Sequence, residues 1–381
     1  MRLVYLIPEL YNPGGTARVL HNKICWFACH GEYEITVVTT DQGQAPVYFD
    51  FPKGVRIIDL DINYSSVYSQ SPFRRLLSIS RKKRLHYRRL KKLLYEIKPD
   101  ATVTIYPSDT VSLSRLKDGS KKILEFHYSR FFRLHQGYKG YHQLIAKYRT
   151  WLDYKFVKKF DRVVVLTNED ANQWSLPNLK VIPNAPSACR SFSKSAQVVE
   201  SKRVIAVGRL VYEKGFDQLI KAWSLLPKDI LEKGWKLDIF GDGVLQNYLN
   251  DLIRKCGVGN SVRINAPTKQ IFNEYAKSAF LVMTSRAEGF GMVMVEAMSC
   301  GIPVISFDFS CGPKDIIEDG VNGLLVENGN IQALAIKIGE LILDKKRRTA
   351  LSENAVKISD SLSEEKVMRM WEQCFAELKS A

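Results

Sequence analysis

The sequence predicts an α/β fold made of two doubly wound parallel-sheet domains. Short apolar runs alternate regularly with helical patterns, which is typical of buried parallel strands covered by helices on both faces of a sheet. This rhythm stops at a polar stretch rich in Ser and Lys near the middle of the chain and then starts again. The chain has 381 residues, and at about 150 residues per domain that length suits two domains.

Each strand is predicted from a short apolar run bounded by turn residues. The first half contains runs at 3–7, 35–39, 55–60, 101–105, 123–126 and 163–167. The second half contains runs at 204–208, 236–240, 262–265, 281–284, 304–307 and 324–326. We place the boundary within 184–202, which gives domains 1–185 and 186–360. An amphipathic pattern beginning at Ser361 predicts a final helix over 361–381.

Composition excludes several other classes of protein. With 45% hydrophobic and 25% charged residues, the chain resembles a globular protein and not a disordered one. No run approaches the roughly 20 apolar residues of a transmembrane helix, and the first residues lack a signal-peptide pattern. The seven cysteines are scattered without a CxxC pair, which fits reduced thiols. We therefore expect a cytoplasmic protein without a transmembrane anchor or a metal site.

The positive charge is concentrated in the first half. The net charge is +16, and residues 1–184 carry 30 Lys and Arg against 16 Asp and Glu. The densest run spans 74–92, and a second basic stretch with many aromatic residues spans 130–159. Such a concentration favours an anionic partner, either a membrane leaflet or nucleic acid. The apolar residues at 90, 93, 94 and 97 predict an amphipathic helix, and we expect this stripe to face the core.

The loop after the first predicted strand contains Gly14 and Gly15, directly before a helical pattern. In a doubly wound domain, ligands bind at the carboxyl ends of strands, so this loop is expected to face the crevice. Glycines let a ligand approach the backbone, and a helix N-terminus favours anions. The same residues also suit an ordinary turn, and they do not form the GxGxxG pattern of a dinucleotide site.

The second domain opens with a strand that ends at Gly208 and a helix that begins near Gly215. Arg209 and Lys214 bracket the loop between them. Two fixed cations at this position could clamp a diphosphate beside the helix dipole, so no divalent metal would be needed to neutralise a leaving nucleoside diphosphate. On this motif alone, an ordinary charged surface loop remains the alternative.

The strongest motif spans 285–303. It begins after a predicted strand with a glycine-flanked loop that presents Glu288, and it continues as a helix that ends before Gly301. Loop carboxylates in a crevice can hold sugar hydroxyls, while Gly289 and Gly291 leave backbone amides accessible. Glu296 lies among apolar residues of the helix, so its carboxylate needs a partner, and a ribose diol would serve.

Together these features resemble glycosyltransferase family four: the two-domain rhythm, the Gly-Gly loop, the Gly-Arg…Glu-Lys-Gly loop and the two carboxylates of 285–303. The resemblance covers essentially the whole chain and is most specific in the second half. It implies the GT-B fold, in which two Rossmann-like domains face each other across a cleft. It also implies that the second domain holds most of a nucleotide-sugar, that the final helix crosses back to the first domain, and that the enzyme is a retaining hexosyltransferase without a metal cofactor.

The resemblance assigns roles by position. Arg209 and Lys214 would bind the donor diphosphate, and Gly15 would lie under the phosphates or near the acceptor. Glu288 would contact the donor sugar near the reacting carbon, and Glu296 would hold the ribose hydroxyls.

Further contacts to the donor sugar are implied in the same way. His127 follows the strand at 122–126 and matches the family's cleft histidine, which contacts the donor sugar. Backbone contacts would come from Gly289, Phe290, Gly291 and Met292. Segment 306–317 resembles members that build bacterial surface polysaccharides, which implies a hexose or N-acetylhexosamine taken from a UDP-sugar.

Two routes to retention stay open. Either Glu288 forms a covalent intermediate, or the acceptor attacks on the face from which the diphosphate departs, and the diphosphate takes the acceptor's proton. The family's usual assignment favours the second route.

The basic first half suggests that the acceptor is a polyprenyl-linked glycan, reached by a protein that is peripheral on the inner face of the cell membrane. Two other functions fit parts of the sequence. A nucleotide-sugar 2-epimerase of the same fold would consume a UDP-sugar without an acceptor. A nucleic-acid-binding protein would explain the charge, but no nucleic-acid-binding motif accompanies it, so we expect no nucleic-acid partner.

Overall fold

The structure, a computed structural model, describes residues 1–12, 14–67, 69, 71–135, 140–186 and 200–380. Most of the predicted boundary at 184–202, including 187–199, lies outside these residues. The described chain forms two parallel sheets covered by helices, so the predicted fold class is confirmed.

The first sheet has seven parallel strands in the order β3-β2-β1-β4-β5-β6-β7. Its strands are β1 (Arg2–Leu6), β2 (Glu34–Thr39), β3 (Arg56–Asp59), β4 (Ala101–Ile105), β5 (Lys121–Glu125), β6 (Arg162–Val165) and β7 (Leu179–Val181). The helices between them are α1 (Gly15–His30), α2 (Pro72–Ile97), α3 (Thr110–Leu113), α4 (Tyr141–Val157) and α5 (Asn168–Ala171). Side chains of α1 pack in one buried cluster and those of α2, α3 and α4 in another, so the helices cover both faces.

The second sheet has six parallel strands in the order β10-β9-β8-β11-β12-β13. Its strands are β8 (Arg203–Val207), β9 (Lys236–Phe240), β10 (Val262–Asn265), β11 (Phe280–Met283), β12 (Val304–Asp308) and β13 (Gly323–Glu327). The helices are α6 (Phe216–Ser224), α7 (Lys228–Glu232), α8 (Gln246–Lys255), α9 (Ile271–Ala276), α10 (Met292–Ser299), α11 (Pro313–Ile316), α12 (Ile331–Leu343), α13 (Lys345–Ala355) and α14 (Ile358–Ser361).

The final helix α15 (Glu364–Ser380) follows the second domain in sequence but packs on the first. Glu377 of α15 lies 3.2 Å from Arg162 of β6, and it also pairs with Lys180 of β7. Trp371 and Phe375 are buried against α1. The apolar face of the predicted tail helix therefore completes the core of the first domain.

Each predicted strand is confirmed, and one strand was missed. Strand β7 has three half-buried residues at the edge of the first sheet, with Lys180 at its centre. The sequence predicts no element at 179–181, because so short a half-polar run has no apolar pattern of its own.

Helix α2 confirms the expected orientation of its apolar stripe. Leu90 and Leu94 are fully buried, and Leu93 and Ile97 pack against the same cluster. In the described part of the chain, no helix has both the length and the apolar character needed to cross a membrane.

The strand orders place one switch point in each sheet. Strand β1 lies between β2 and β4, and β8 lies between β9 and β11, so the chain leaves these central strands in opposite directions. Ligands of open α/β sheets bind at such switch points, beyond the carboxyl ends of the strands. All the predicted loops are found there: the Gly-Gly loop follows β1, the loop of Arg209 and Lys214 follows β8, and the loop of Glu288 follows β11.

Candidate functional site

The loop after β8 is held tightly against the end of β11. Gly215 is the N-cap residue of α6 and has a φ of +66°, and a Cβ at this position would collide with the carbonyl oxygen of Thr284. Only glycine combines this backbone conformation with so close an approach. The side chain of Lys214 packs over Gly208, and a Cβ there would meet Lys214 Cδ at 3.2 Å. The glycines at both ends of the loop therefore fix the position of Lys214.

Lys214 and Glu288 form the centre of the candidate site. The Lys214 ammonium pairs with Glu288 Oε1, and each side chain is about four-fifths buried, with 18% exposed. The Ser285 hydroxyl donates a hydrogen bond to the same oxygen at 2.9 Å. Arg209, by contrast, is exposed, and its side chain has no partner among the residues that the structure describes. One predicted cation is thus already engaged by a predicted carboxylate, and the other is free to receive an anion.

Arg286 connects the loop after β8 with the loop after β11. The sequence did not single it out. Its guanidinium makes a bidentate contact with Asp217 at 3.0 and 2.9 Å and donates to the Tyr212 carbonyl at 2.6 Å. Its backbone N–H donates to the Glu213 carbonyl at 2.7 Å. Paired, planar contacts of this kind fix orientation strongly. Arg286 therefore keeps Glu288 beside Lys214.

Glu296 lies on the buried side of α10, with 5% of the residue exposed. The Tyr275 hydroxyl donates to its Oε2 at 3.3 Å, and Arg18 of the first domain lies 3.7 Å from its Oε1. Burial raises the pKa of Glu296, and the charge of Arg18 and the hydrogen bond from Tyr275 oppose that rise. The Glu296 carboxylate, which was predicted to need a partner, is therefore paired with Arg18 from the other side of the cleft.

The contact from Arg18 places the start of α1 opposite α10. Arg18 lies one turn into α1, and the helix begins at Gly15 without a side-chain cap. A Cβ at Gly14 or Gly15 would meet no atom within 4 Å, so there is open space around this backbone. The Gly-Gly loop therefore lies at the cleft, close to Glu296.

His127 lies at the end of a row of buried polar side chains in the first domain, formed with Glu125 and Lys23. Its Nε2 lies 3.0 Å from Glu125 Oε2, and Lys23 Nζ lies 2.6 Å from Glu125 Oε1. The ammonium of Lys23 also lies 3.7 Å from the centre of the Trp371 ring of α15. Burial alone would raise the pKa of Glu125, but the charge of Lys23 and the hydrogen bond from His127 outweigh it and lower that pKa to about 2. Burial also lowers the pKa of Lys23, and we assign a charged pair at neutral pH.

The loop of Glu288 touches the strand end of His127. A Cβ at Gly289 would collide with the His127 carbonyl oxygen, so this glycine lets the two domains meet. Gly291, with a φ of +89°, is the N-cap residue of α10. Phe290 before it is buried, and Met292 after it is half-buried. The structure thus brings Lys214, Glu288 and Glu296 to one side of the cleft, and His127 and the Gly-Gly loop to the other. No cluster of His, Cys, Asp and Glu suited to a metal ion occurs among the described residues.

The buried pair gives a first prediction, on stability. Glu125→Gln should lower the stability of the first domain by about 3 kcal/mol at pH 7, because it leaves the Lys23 ammonium buried without its counter-charge. The pKa of Glu125 is lower in the folded chain than the ordinary 4.5, so its contribution is present above pH 4.5 and is lost as the pH falls towards 2. Thermal unfolding of parent and variant between pH 7 and pH 3 measures both effects.

The matched control removes both charges. Lys23→Met combined with Glu125→Leu should recover most of the lost stability, since no unpaired charge remains. Equal unfolding temperatures for the parent and Glu125→Gln at pH 7 would contradict the assignment of a charged pair.

Comparison with known proteins finds similarity to glycosyltransferases. Residues 190–358 match the family described as glycosyl transferases group 1. The chain is 34% identical over 219 residues to the amylovoran biosynthesis glycosyltransferase AmsD of Erwinia amylovora, a match covering 55% of this chain and 61% of that protein. It is 33% identical over 229 residues to an exopolysaccharide phosphotransferase of Streptomyces coelicolor, covering 58% of this chain and 24% of that protein. The chain therefore spans less than two thirds of these two curated relatives.

A match over nearly the full length links the chain to an uncharacterised glycosyltransferase of Haemophilus influenzae. The two are 27% identical over 377 residues, which is 97% of this chain and 98% of that protein.

Solved structures confirm the GT-B fold. Sucrose-phosphate synthase from Thermosynechococcus elongatus superposes with a TM-score of 0.83 at 17% identity, covering 100% of this chain and 99% of that chain. HepE of Anabaena, in complex with UDP and glucose, gives a TM-score of 0.74 at 19% identity, covering 99% and 100%.

Proposed function

We propose that the protein is a retaining glycosyltransferase that moves a hexose or N-acetylhexosamine from a UDP-sugar to a glycan acceptor. The observation that carries this proposal is the pairing of Lys214 with Glu288 at the switch point of the second sheet, with Glu296 and the exposed Arg209 in the same domain. The structural relative solved with UDP and glucose supports the donor, and the relative that is an amylovoran biosynthesis glycosyltransferase supports the class of product.

The donor would lie along the second domain. Its diphosphate would be held by Arg209 and Lys214, and the ribose diol would take the place of Arg18 at Glu296. Lys214 would then lie between two anionic groups, the diphosphate and Glu288. Two fixed cations supply the positive charge that a divalent metal supplies in other nucleotide sites. The enzyme would therefore work without a metal cofactor.

The reaction would proceed by attack on the face from which the diphosphate departs. The C1–O bond to the diphosphate breaks, the acceptor oxygen bonds to C1, and a phosphate oxygen takes the acceptor's proton. Arg209 and Lys214 would stabilise the charge that develops on the leaving group, which is usually the largest contribution to catalysis. Glu288 would stabilise the positive charge on the sugar ring, and His127, oriented by Glu125, would contact the sugar from the first domain.

The experiment that tests this function offers the purified protein a panel of UDP-, GDP- and ADP-sugars, with a bacterial lipid extract as the source of acceptor. We expect release of UDP from one UDP-sugar, transfer of the sugar to the extract, and unchanged activity in excess EDTA. A 2-epimerase would instead convert the UDP-sugar without releasing UDP. Absence of nucleotide release from every donor, or an absolute requirement for Mg²⁺ or Mn²⁺, would contradict the proposal.

A second prediction concerns the ribose contact. Glu296→Gln keeps the size of the side chain and its bond from Tyr275, but it loses the charge that accepts two ribose hydroxyls. We expect UDP affinity to fall about tenfold, in line with the loss of charge-assisted hydrogen bonds, with a smaller effect on turnover at saturation. Calorimetry with UDP measures the affinity. Unchanged binding would show that Glu296 does not hold the ribose.

The acceptor proposed for this enzyme is lipid-linked, and the basic surface of α2 would bring the protein to the inner face of the cell membrane. Contacts within the protein limit which cations of α2 are available to bind lipid. Lys82 donates to the Asn63 carbonyl at 2.8 Å and Arg89 to the Asp61 carbonyl at 2.7 Å, so these two cations hold the chain after β3 in place. Arg81, Lys83, Arg84 and Arg88 of the same run are exposed and make no such contact with the described part of the chain after β3.

A third prediction follows for this basic surface. Replacing Arg81, Lys83, Arg84 and Arg88 with Glu should release the protein from anionic vesicles, because each cation near such a surface contributes about 1 kcal/mol. Transfer to a lipid-linked acceptor should fall, while hydrolysis of the donor should not. Co-sedimentation with phosphatidylglycerol vesicles at about 0.1 M salt, where the Debye length is about 10 Å, measures the binding. Equal binding of variant and parent would exclude this surface.

A further inference from the structure

Helix α4 exposes a row of large apolar side chains to solvent. The exposed fractions are 73% for Tyr141, 65% for Leu144, 60% for Tyr148 and 54% for Trp151. Their spacing of three, four and three residues places them within an arc of about 80° at 3.6 residues per turn. We call these four residues the α4 aromatic stripe.

The stripe lies opposite the side of α4 that packs on the sheet. Ala146 and Val157 are buried, and Val157 belongs to the cluster that joins α2, α4 and the first sheet. A surface helix ordinarily turns apolar side chains to the core and polar ones to solvent. Helix α4 carries apolar side chains on both sides, and packing in the core does not account for those that face solvent. Clusters of exposed apolar residues usually mark a binding surface.

The charges around the stripe identify the kind of partner. Lys147 and Arg149 are exposed, and the Lys155 ammonium lies 3.8 Å from the centre of the Trp151 ring. The acidic residue of the helix, Asp153, faces inward, where it pairs with Arg133 at 3.2 Å. The outward side of α4 therefore combines aromatic rings with positive charge and carries no carboxylate. Aromatic residues flanked by Lys and Arg suit the interface of an anionic bilayer, where rings enter the headgroup region and cations meet lipid phosphates.

The position of α4 in the fold agrees with this partner. Helix α4 packs on the same face of the first sheet as α2, whose exposed cations Arg81, Lys83, Arg84 and Arg88 carry charge of the same sign. Leu76, near the start of α2, is also exposed, with 68% of its surface open. The chain reaches α4 from the carboxyl end of β5, the edge at which His127 lies. A bilayer contacting the stripe would meet the protein on the side of the cleft mouth.

We propose that the α4 aromatic stripe inserts into the headgroup region of an anionic bilayer, and that it anchors the first domain there. The cations of α2 and α4 attract the protein to the lipid phosphates, and the aromatic rings hold it once it arrives. This proposal deepens the proposed function, on which it rests, because it assigns the apolar contact with the membrane that carries the acceptor.

The experiment compares the full chain with two triple variants. The stripe variant replaces Leu144, Tyr148 and Trp151 with Ser. The matched control replaces three comparably exposed apolar residues of the second domain with Ser, namely Leu225, Ile336 and Leu343. Co-sedimentation uses vesicles of phosphatidylcholine with about a third phosphatidylglycerol. We expect at least a tenfold loss of affinity in the stripe variant and none in the control.

A second readout reports insertion itself. Lipids brominated near the headgroup should quench part of the tryptophan fluorescence of the parent, and that quenching should disappear in Trp151→Phe, which keeps the ring and the fold. Unchanged vesicle affinity in the stripe variant, or quenching that survives in Trp151→Phe, would overturn the proposal. Binding to RNA or to a protein with no binding to vesicles would overturn it too.

The same samples separate this proposal from the proposed function. Release of UDP from a UDP-sugar is measured without vesicles in all three proteins. Loss of vesicle binding with unchanged release of UDP in the stripe variant supports both proposals. Vesicle binding by a parent protein that releases no nucleotide from any donor would leave the membrane contact standing and contradict the glycosyltransferase.

Discussion

Glu288→Ala should reduce sugar transfer by two to three orders of magnitude while the protein stays folded. The carboxylate lies on a loop, paired with Lys214 and bonded to Ser285, and none of these contacts belongs to the hydrophobic core. Its loss removes the negative charge that would face the sugar as the diphosphate departs. Removal of one preorganised electrostatic group from an active site typically costs a factor of this size.

The measurement is the initial rate of transfer from the donor identified in the panel, with circular dichroism to show that the variant is folded. Glu353→Ala serves as the control, because Glu353 is an exposed carboxylate on α13 of the same domain. Its rate should equal that of the parent. Near-normal turnover in a folded Glu288→Ala protein would remove Glu288 from the site.

Lys214→Ala should have the second largest effect, at least a hundredfold on kcat/KM. The ammonium lies beside Glu288 and would also face the diphosphate, so its loss weakens donor binding and leaves the leaving group without one of its two cations. The Lys214 side chain packs over Gly208, and Arg286 holds the neighbouring segment through its contact with Asp217. The loop should therefore keep its shape when Lys214 is replaced.

Binding and chemistry can be separated by measuring UDP affinity and turnover in the same variant. Lys221→Ala is the matched control, since Lys221 is exposed on α6 seven residues further along. A loss of less than threefold in Lys214→Ala, or an equal loss in Lys221→Ala, would contradict the diphosphate role.

The sequence was sufficient to predict the strands of both sheets except β7, and the loops that carry the candidate site. Buried parallel strands are continuous apolar runs, and the glycines at 208, 215 and 291 mark turns that need a positive φ, so both features leave a local signal. Strand β7 left none, because three half-buried residues around Lys180 show no periodicity.

The contacts that join distant parts of the chain could not be predicted in this way. Arg18 and Glu296 come from different domains, and Lys23 and Glu125 are brought together only when α1 packs on the first sheet. A signal did exist for Lys23, since it occupies the buried side of α1 between Leu20 and Phe27. For Arg286, the one available signal was its position between Ser285 and Glu288 in the motif.

The surface chemistry was anticipated only in part. The basic run at 74–92 was predicted to face an anionic partner, but Lys82 and Arg89 of that run instead hold the chain after β3 in place. The aromatic residues of the second basic stretch were noted, but helical periodicity alone does not tell which side of α4 faces the core. Packing of Val157 on the first sheet settles that side and leaves the stripe exposed.

The most direct test of the sugar-nucleotide site is a crystal structure of the protein grown with UDP. We expect density for the diphosphate within hydrogen-bonding distance of Arg209 and Lys214, with the ribose at Glu296 and Arg18 displaced from that carboxylate. UDP ordered elsewhere on the protein, or an empty cleft at a UDP concentration that saturates binding in calorimetry, would contradict this placement of the nucleotide.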